Sequence, residues 1–194
     1  MAPDTKTDSL SFSCTCGKLQ GRIAAEAVKA ATPLVCYCPD CRANELYHSQ
    51  PDPDGVALVQ TSPEAITFTQ GAEHLQVLRL SSKGILRWYA DCCGQPVANT
   101  LARPKLPFVG MKRDLFQDPD MFGKTKVKAF MPVPGKPART KGALTMVMGI
   151  FRRMGSALLS GRWRDNPFFD TTTGEPVQPP EILDKDTRAA LYKR

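Results

Sequence analysis

Between residues 10 and 112 the chain is built from short runs of apolar and polar positions, each closed by Gly, Pro or Ser. Segments 10–14 and 18–24 flank the turn CTCG, and Leu19, Gly21 and Ile23 alternate with polar neighbours. Residues 34–38 form another short apolar piece. After the turn-rich QPDPDG come VALVQ, AITFTQ, LQVLRL and ILRWYA, and PVANTL and PFVGMK extend the pattern to about residue 112. β-Branched and aromatic runs of this length and spacing predict a mainly β domain of short antiparallel sheets. There is no internal repeat of fixed period.

The pattern changes from Asp114. DLFQDPDMFG suits a helical turn, and KTKVKAFMPVPGKPARTKG has the Pro, Gly and Lys content of a basic loop or linker. Then a 3.6-residue period appears in residues 143–160, where Leu144, Val147, Met148, Phe151, Met154 and Leu158 make one apolar face. Gly161 is its stop signal. The expectation is that this face docks on the chain's own domain or on a second subunit, giving a possible homodimer through 143–160. An anionic membrane surface is the alternative for a helix of this composition. A last short helix is expected from Asp184, with cationic residues near its end. The chain thus divides into a β domain over residues 8–130 and a C-terminal helical extension over 131–194 that packs on it.

Candidate chemistry lies in the cysteines. All seven fall in three windows: Cys14 and Cys16, then Cys36, Cys38 and Cys41, then Cys92 and Cys93. Thiols that only fill a core would not cluster at one- and two-residue spacings, whereas metal ligands do. Thiolate-rich sets favour zinc or iron–sulfur. Seven thiolates divide into four, which close a structural zinc site, and three, which leave a position open. The adjacent pair in YADCCGQPV is the awkward member, because neighbouring side chains on an extended strand point to opposite faces.

CTCG, CYCPDC and CCGQP, in that order, resemble the glutathione-dependent formaldehyde-activating enzyme and centromere protein V domain family over about residues 10–112. RWYADCCGQPVANT resembles a divergent, uncharacterised branch with paired cysteines. The resemblance implies a zinc-binding β-tent with two Zn2+ sites. It implies that Cys14, Cys16 and Cys93 hold a structural zinc and that Cys36, Cys38 and Cys41 hold a catalytic one. The family's remaining structural ligand would stand at Ala90, and Cys92 is its substitute or else a ligand of the second zinc. The implied activity is that of a carbon–sulfur lyase acting on a glutathione-like thiol and a small aldehyde. Arg42, directly after the catalytic-type cluster, is the candidate to meet an anionic thiol substrate. The competing reading is a non-catalytic, zinc-stabilised binding module for an anionic partner such as nucleic acid.

Charge bears on that second reading. The net charge is +7, with −2 in residues 1–100 and +9 in residues 101–194. The basic surface therefore belongs to the C-terminal half, where Trp163, Phe168 and Phe169 are candidates to stack on bases. His48 and His74, the only histidines, have no ligand spacing with the cysteines and read as surface or turn residues. Asn99 and Thr100 are candidates to support the site. No run approaches the roughly 20 apolar residues of a membrane span. The polar start MAPDTKTDSL has no apolar signal region. A cytoplasmic protein with reduced thiols is the expectation.

Overall fold

The computed structural model describes residues 9–193. Most of the polar N-terminal stretch lies outside them, as does Arg194 at the end of the expected last helix.

Twelve strands form two sheets among the described residues. Strands β1 (Ser9–Ser13), β2 (Gln20–Ala24) and β5 (Ile66–Gln70) make an antiparallel sheet in the order β1-β2-β5. The larger sheet contains β3 (Thr32–Cys36), β4 (Val56–Thr61), β6 (Leu75–Arg79), β7 (Leu86–Ala90), β8 (Gln95–Thr100) and β9 (Val109–Lys112). The C-terminal half adds β10 (Val127–Val133), β11 (Lys136–Lys141) and β12 (Glu181–Ile182). Its order is β11-β10-β3-β4-β9-β8-β7-β6-β12. It is antiparallel except where β10 joins β3 and β12 joins β6. Helices are α1 (Ala25–Ala30), α2 (Pro39–Tyr47), α3 (Ala143–Ser160) and α4 (Lys185–Tyr192). The fold is mainly β with a C-terminal helical extension, as the patterning predicts.

Alternation explains which strand faces are inside. Leu10 and Phe12 of β1 and Ile23 of β2 turn inward onto Leu75, Val77, Leu86, Trp88, Val97 and Met111 of the larger sheet. Trp88 is fully buried, and its indole N–H is satisfied by Thr100 Oγ1 at 2.9 Å. Thr100 thus supports the core rather than the cysteines.

Three expectations for the C-terminal half need correction. KTKVKAFMPVPGKPARTKG is not a linker. It is the β10–β11 hairpin, held because Val127 and Ala129 bury their side chains beside β3. The boundary at 130/131 therefore falls inside a strand. Phe168 and Phe169 do not face solvent. Phe168 is fully buried, 5.1 Å from Trp88 and 5.7 Å from Phe68 between ring centroids, so neither residue is available to stack on a base.

The third correction concerns α3, whose bounds match the periodicity but whose apolar face does not dock on the chain's own domain. Its inward side carries Met146, Gly149, Arg153 and Ala157. A Cβ on Gly149 would stand 2.9 Å from Thr32 Oγ1, so only a residue without one permits this approach. Arg153 Nη1 donates to the Ala30 carbonyl and to Thr32 Oγ1, both at 3.1 Å. Leu144, Val147, Met148, Phe151 and Leu158 are left exposed.

His48 is the turn residue that one expectation made it, but it is not on the surface. It caps α2, is buried, and packs its ring 4.3 Å from that of Tyr89. Burial without a partner for Nε2 lowers its pKa from 6.5 to about 4.

Two outcomes follow from this packing. Phe168→Ala is expected to cost about 3–5 kcal/mol, the penalty of a central aromatic deletion, read as a shift in the urea midpoint. A loss under about 1 kcal/mol would mean that the tail is not part of the core. For His48, the unfolded chain binds the proton more readily than the folded one. Stability should be complete above about pH 6.5 and fall toward pH 4 by up to roughly 3 kcal/mol. His48→Phe should flatten that part of the pH–stability curve, and an unchanged slope would assign it to other groups.

Candidate metal centres

The first centre is built from two turns far apart in sequence. Cys14 and Cys16 sit on the turn that joins β1 to β2, closed by hydrogen bonds from Cys14 N to the Leu19 carbonyl (2.9 Å) and from Gly17 N to the Cys14 carbonyl (3.0 Å). Cys92 and Cys93 lie in the four-residue turn of the β7–β8 hairpin, where Ala90 pairs with Gln95. Cys93 N donates to the Ala90 carbonyl at 3.3 Å. Gly17 and Gly94 close the two turns at φ of +76° and +66°, a region that side chains with a Cβ rarely adopt.

This local geometry answers the problem of adjacent cysteines. In a turn, unlike an extended strand, neighbouring thiols can converge, and the Cys92 and Cys93 sulfurs are 4.0 Å apart. Cys92 lies 3.3 Å from Cys16 and 3.8 Å from Cys14, and Cys14 is 3.5 Å from Cys16. All four sulfurs fall within 4.8 Å of one another, so the set can hold a metal ion. Cys92 thus stands with Cys14, Cys16 and Cys93. Ala90, the position of the implied family ligand, is instead a fully buried strand residue.

The Cys16 thiol is drawn down to about 7, first by the Lys18 backbone N–H and then by Cys92. Cys92 is pushed up by desolvation and by the neighbouring sulfurs. Leu19 N also donates to Cys14 Sγ at 3.3 Å. Thr15 Oγ1 donates to Gln95 Oε1, a further tie between the two turns. His74 is closer than its sequence position suggests. It pairs with Asp91 at 2.9 Å, and the two approach within 4.8 Å of Cys92.

The second centre is local. Cys36 ends β3, Cys38 is the N-cap of α2, and Cys41 lies in the first turn of that helix, after Pro39 at a position that suits proline. Cys38 Sγ accepts from Cys41 N at 3.4 Å and lies 3.3 Å from Cys36 Sγ. The three sulfurs fall within 4.8 Å of one another and can also hold a metal ion. Hydrogen bonds from Cys36 and Cys41, and to a lesser extent the Cys41 backbone N–H and the Arg87 guanidinium, stabilise negative charge on Cys38 and lower its pKa to about 2. The same sharing pushes Cys36 up to about 11 and Cys41 up as well. Cys38 therefore carries the first negative charge of the set, at the positive end of a helix.

Helix α2 is fixed to the sheet by a buried Lys112–Glu45 pair at 2.8 Å and by Arg87, which reaches Asp40 at 3.6 Å and Asn99 Oδ1 at 3.1 Å. Asn99 thus supports this centre through Arg87. Cys36 and Cys38 lie on the wall of a cavity of about 490 Å3 that Tyr37, Arg42, Asp52 and Tyr192 also line. Arg42 reaches this cavity, but its guanidinium is forked onto Asp52 with two bonds of 2.6 Å. It also donates to the carbonyls of Leu191 and Lys193, at 3.3 and 3.4 Å. Arg42 ties α4 to the rim of the site.

Sequence reasoning missed Asp52, Arg87 and Tyr192. Tyr192 donates to Asp40 from the far end of the chain, and nothing in the local pattern marks it. Tyr37 carried a signal, since it lies inside CYCPDC.

The sequence model of the family described as "Family of unknown function (DUF6151)" matches residues 6–181. A crystal structure of a Rhodobacter sphaeroides protein aligns with 59% of this chain and 96% of its own length, at 16% identity and a TM-score of 0.42. No curated protein matches.

Metal analysis of single variants tests the first centre. Cys92→Ala should lose one metal equivalent per chain and lower the melting temperature about as much as Cys14→Ala, because each leaves three ligands. Full metal content in Cys92→Ala would remove Cys92 from the ligand set.

Proposed function

The chain belongs to the DUF6151 family, a family of unknown function. Within it, we propose a two-zinc protein whose Cys36/Cys38/Cys41 centre works on a thiol substrate, as a carbon–sulfur lyase for thiol–aldehyde adducts. The observation that carries this reading is the inequality of the two centres. One has four converging thiols, and the other has three, two of whose cysteines lie on a cavity wall.

The sulfur spacings fit zinc. Zn–S bonds of about 2.3 Å in a tetrahedron separate the sulfurs by about 3.8 Å, and the sulfur–sulfur separations given above run from 3.3 to 4.0 Å. Cys14, Cys16, Cys92 and Cys93 would complete a closed structural site. Cys36, Cys38 and Cys41 would leave one position for a ligand from the cavity. With three thiolates around it, a bound zinc carries net negative charge, which disfavours water splitting and suits lowering the pKa of an incoming thiol. The resemblance of CTCG, CYCPDC and CCGQP to the glutathione-dependent formaldehyde-activating and centromere protein V domain family supports the same class of chemistry.

The chain's own residues position the reaction. Cys38, as N-cap, is locked to α2 by the Cys41 N–H, and the Arg87–Asp40 and Lys112–Glu45 pairs hold that helix on the sheet. Asp52 orients Arg42, leaving Tyr37 and Tyr192 as the aromatic walls of the cavity. In adduct formation the thiol sulfur attacks the carbonyl carbon, a C–S bond forms, and the C=O π pair moves to oxygen. That oxygen takes the proton the thiol gives up, so the sum is thiol plus aldehyde giving S-hydroxyalkyl adduct. Lyase cleavage reverses each movement.

The test joins metal content to rate. Wild type should bind two zinc ions per chain and accelerate adduct formation or cleavage for at least one thiol–aldehyde pair, with glutathione and formaldehyde assayed first. Cys38→Ala should keep one zinc, stay folded and lose the acceleration. No rate above the spontaneous reaction for any pair would reject catalysis and leave two structural sites.

A further inference from the structure

The apolar stripe of α3 faces solvent, and its surroundings identify what covers it. Leu144, Met148, Phe151 and Leu159 are 75, 60, 66 and 93% exposed, with Val147 and Leu158 beside them. At helical spacing these residues make one continuous band along a helix of 18 residues, about 27 Å long. The opposite side is already spent on the domain, through Gly149, Arg153 and Ala157. Single exposed apolar residues are ordinary on a surface, whereas a contiguous band of six is not.

The segment that carries the band has charge of one sign. Residues 124–164, which span the β10–β11 hairpin, α3 and the turn after it, contain ten Lys or Arg and no Asp or Glu. Arg152 is exposed at the edge of the band, and Arg162 flanks it from the next turn. Glu26 and Glu64 line a cavity together with Arg152, Arg153 and Arg162. A symmetric pair of chains would set this patch against itself and bring like charges together. An anionic bilayer instead offers both complements, acyl chains for the band and headgroup charge for the arginines and lysines. No helix among the described residues is long and apolar enough to cross a membrane.

We propose that α3 is an interfacial helix that seats this protein on anionic lipid surfaces. Its apolar band enters the headgroup–acyl boundary, and the hairpin and the residues after α3 supply cationic contacts. Trp163 stands at the end of the helix, half-buried between Lys105 and Arg164 at 5.9 and 4.7 Å, where an interfacial tryptophan belongs. This seat is independent of any chemistry at the cysteine centres.

Full-length protein with its metal is mixed with vesicles of phosphatidylcholine alone or with about 30% phosphatidylserine, and binding is read by flotation and tryptophan fluorescence. Trp88 is fully buried, so a blue shift reports on Trp163, the only other tryptophan. Binding is expected to the anionic vesicles only. It should weaken several-fold between about 50 and 200 mM salt and drop at least roughly tenfold in Met148→Glu/Phe151→Glu. Leu159→Glu, at a nearly fully exposed position, provides a second variant should the double one fold poorly; unchanged metal content and far-UV circular dichroism establish folding. No vesicle binding at low salt overturns the proposal. So does a wild-type dimer that these variants dissociate without any vesicle binding, which would assign the band to a second copy.

Discussion

Four sulfurs drawn from two turns separated by nearly eighty residues converge where the two sheets meet. Cys14 and Cys16 belong to the turn of the three-stranded sheet, and Cys92 and Cys93 to a hairpin of the larger one. The four thiols can hold a metal ion, and an ion held there would stabilise only the folded chain. The constraint propagates. Fixing the β7–β8 turn fixes Trp88, Trp88 receives Phe168, and the adjoining strands β8 and β9 carry Asn99 and Lys112 toward α2. The second cysteine set, although local in sequence, takes its orientation from the same sheet, through Arg87 and Lys112.

How much of this could be read in the sequence depended on whether the cause was local. Strands β4 to β9 were legible because each is a short run rich in β-branched, aromatic or other apolar residues, bounded by turn residues. The limits of α3 were legible because its period and Gly161 are both local. The β10–β11 hairpin was not, because Pro132, Pro134, Gly135 and Pro137 give it loop composition while Val127 and Ala129 form the strand by burying against β3. Periodicity located the apolar face of α3 correctly and its buried face wrongly. Small residues at Gly149 and Ala157 let the other side come close, and Arg153 found two acceptors there.

The candidate centres divide in the same way. Spacing alone grouped the cysteines and set CYCPDC apart as a three-thiol set, but the place of Cys92 depended on a turn conformation that no spacing rule states. Arg42 was visible as a charge beside the cluster. Its pairing with Asp52, ten residues on, and its grip on α4, about 150 residues on, were not. His48 and Phe168 likewise owe their burial to Tyr89 and Trp88, partners remote in the chain.

The hairpin that ends the nine-stranded sheet has one more consequence. An open sheet offers unpaired backbone groups at both edges, and such edges recruit strands from other molecules. One edge here is β12, only two residues long. The other is β11, whose exposed KPARTK presents Lys136, Pro137, Arg139 and Lys141 to any incoming strand. A proline withholds a donor, and three cations repel a copy of themselves. The same residues that give the C-terminal half its charge also cap the sheet against growth into aggregates.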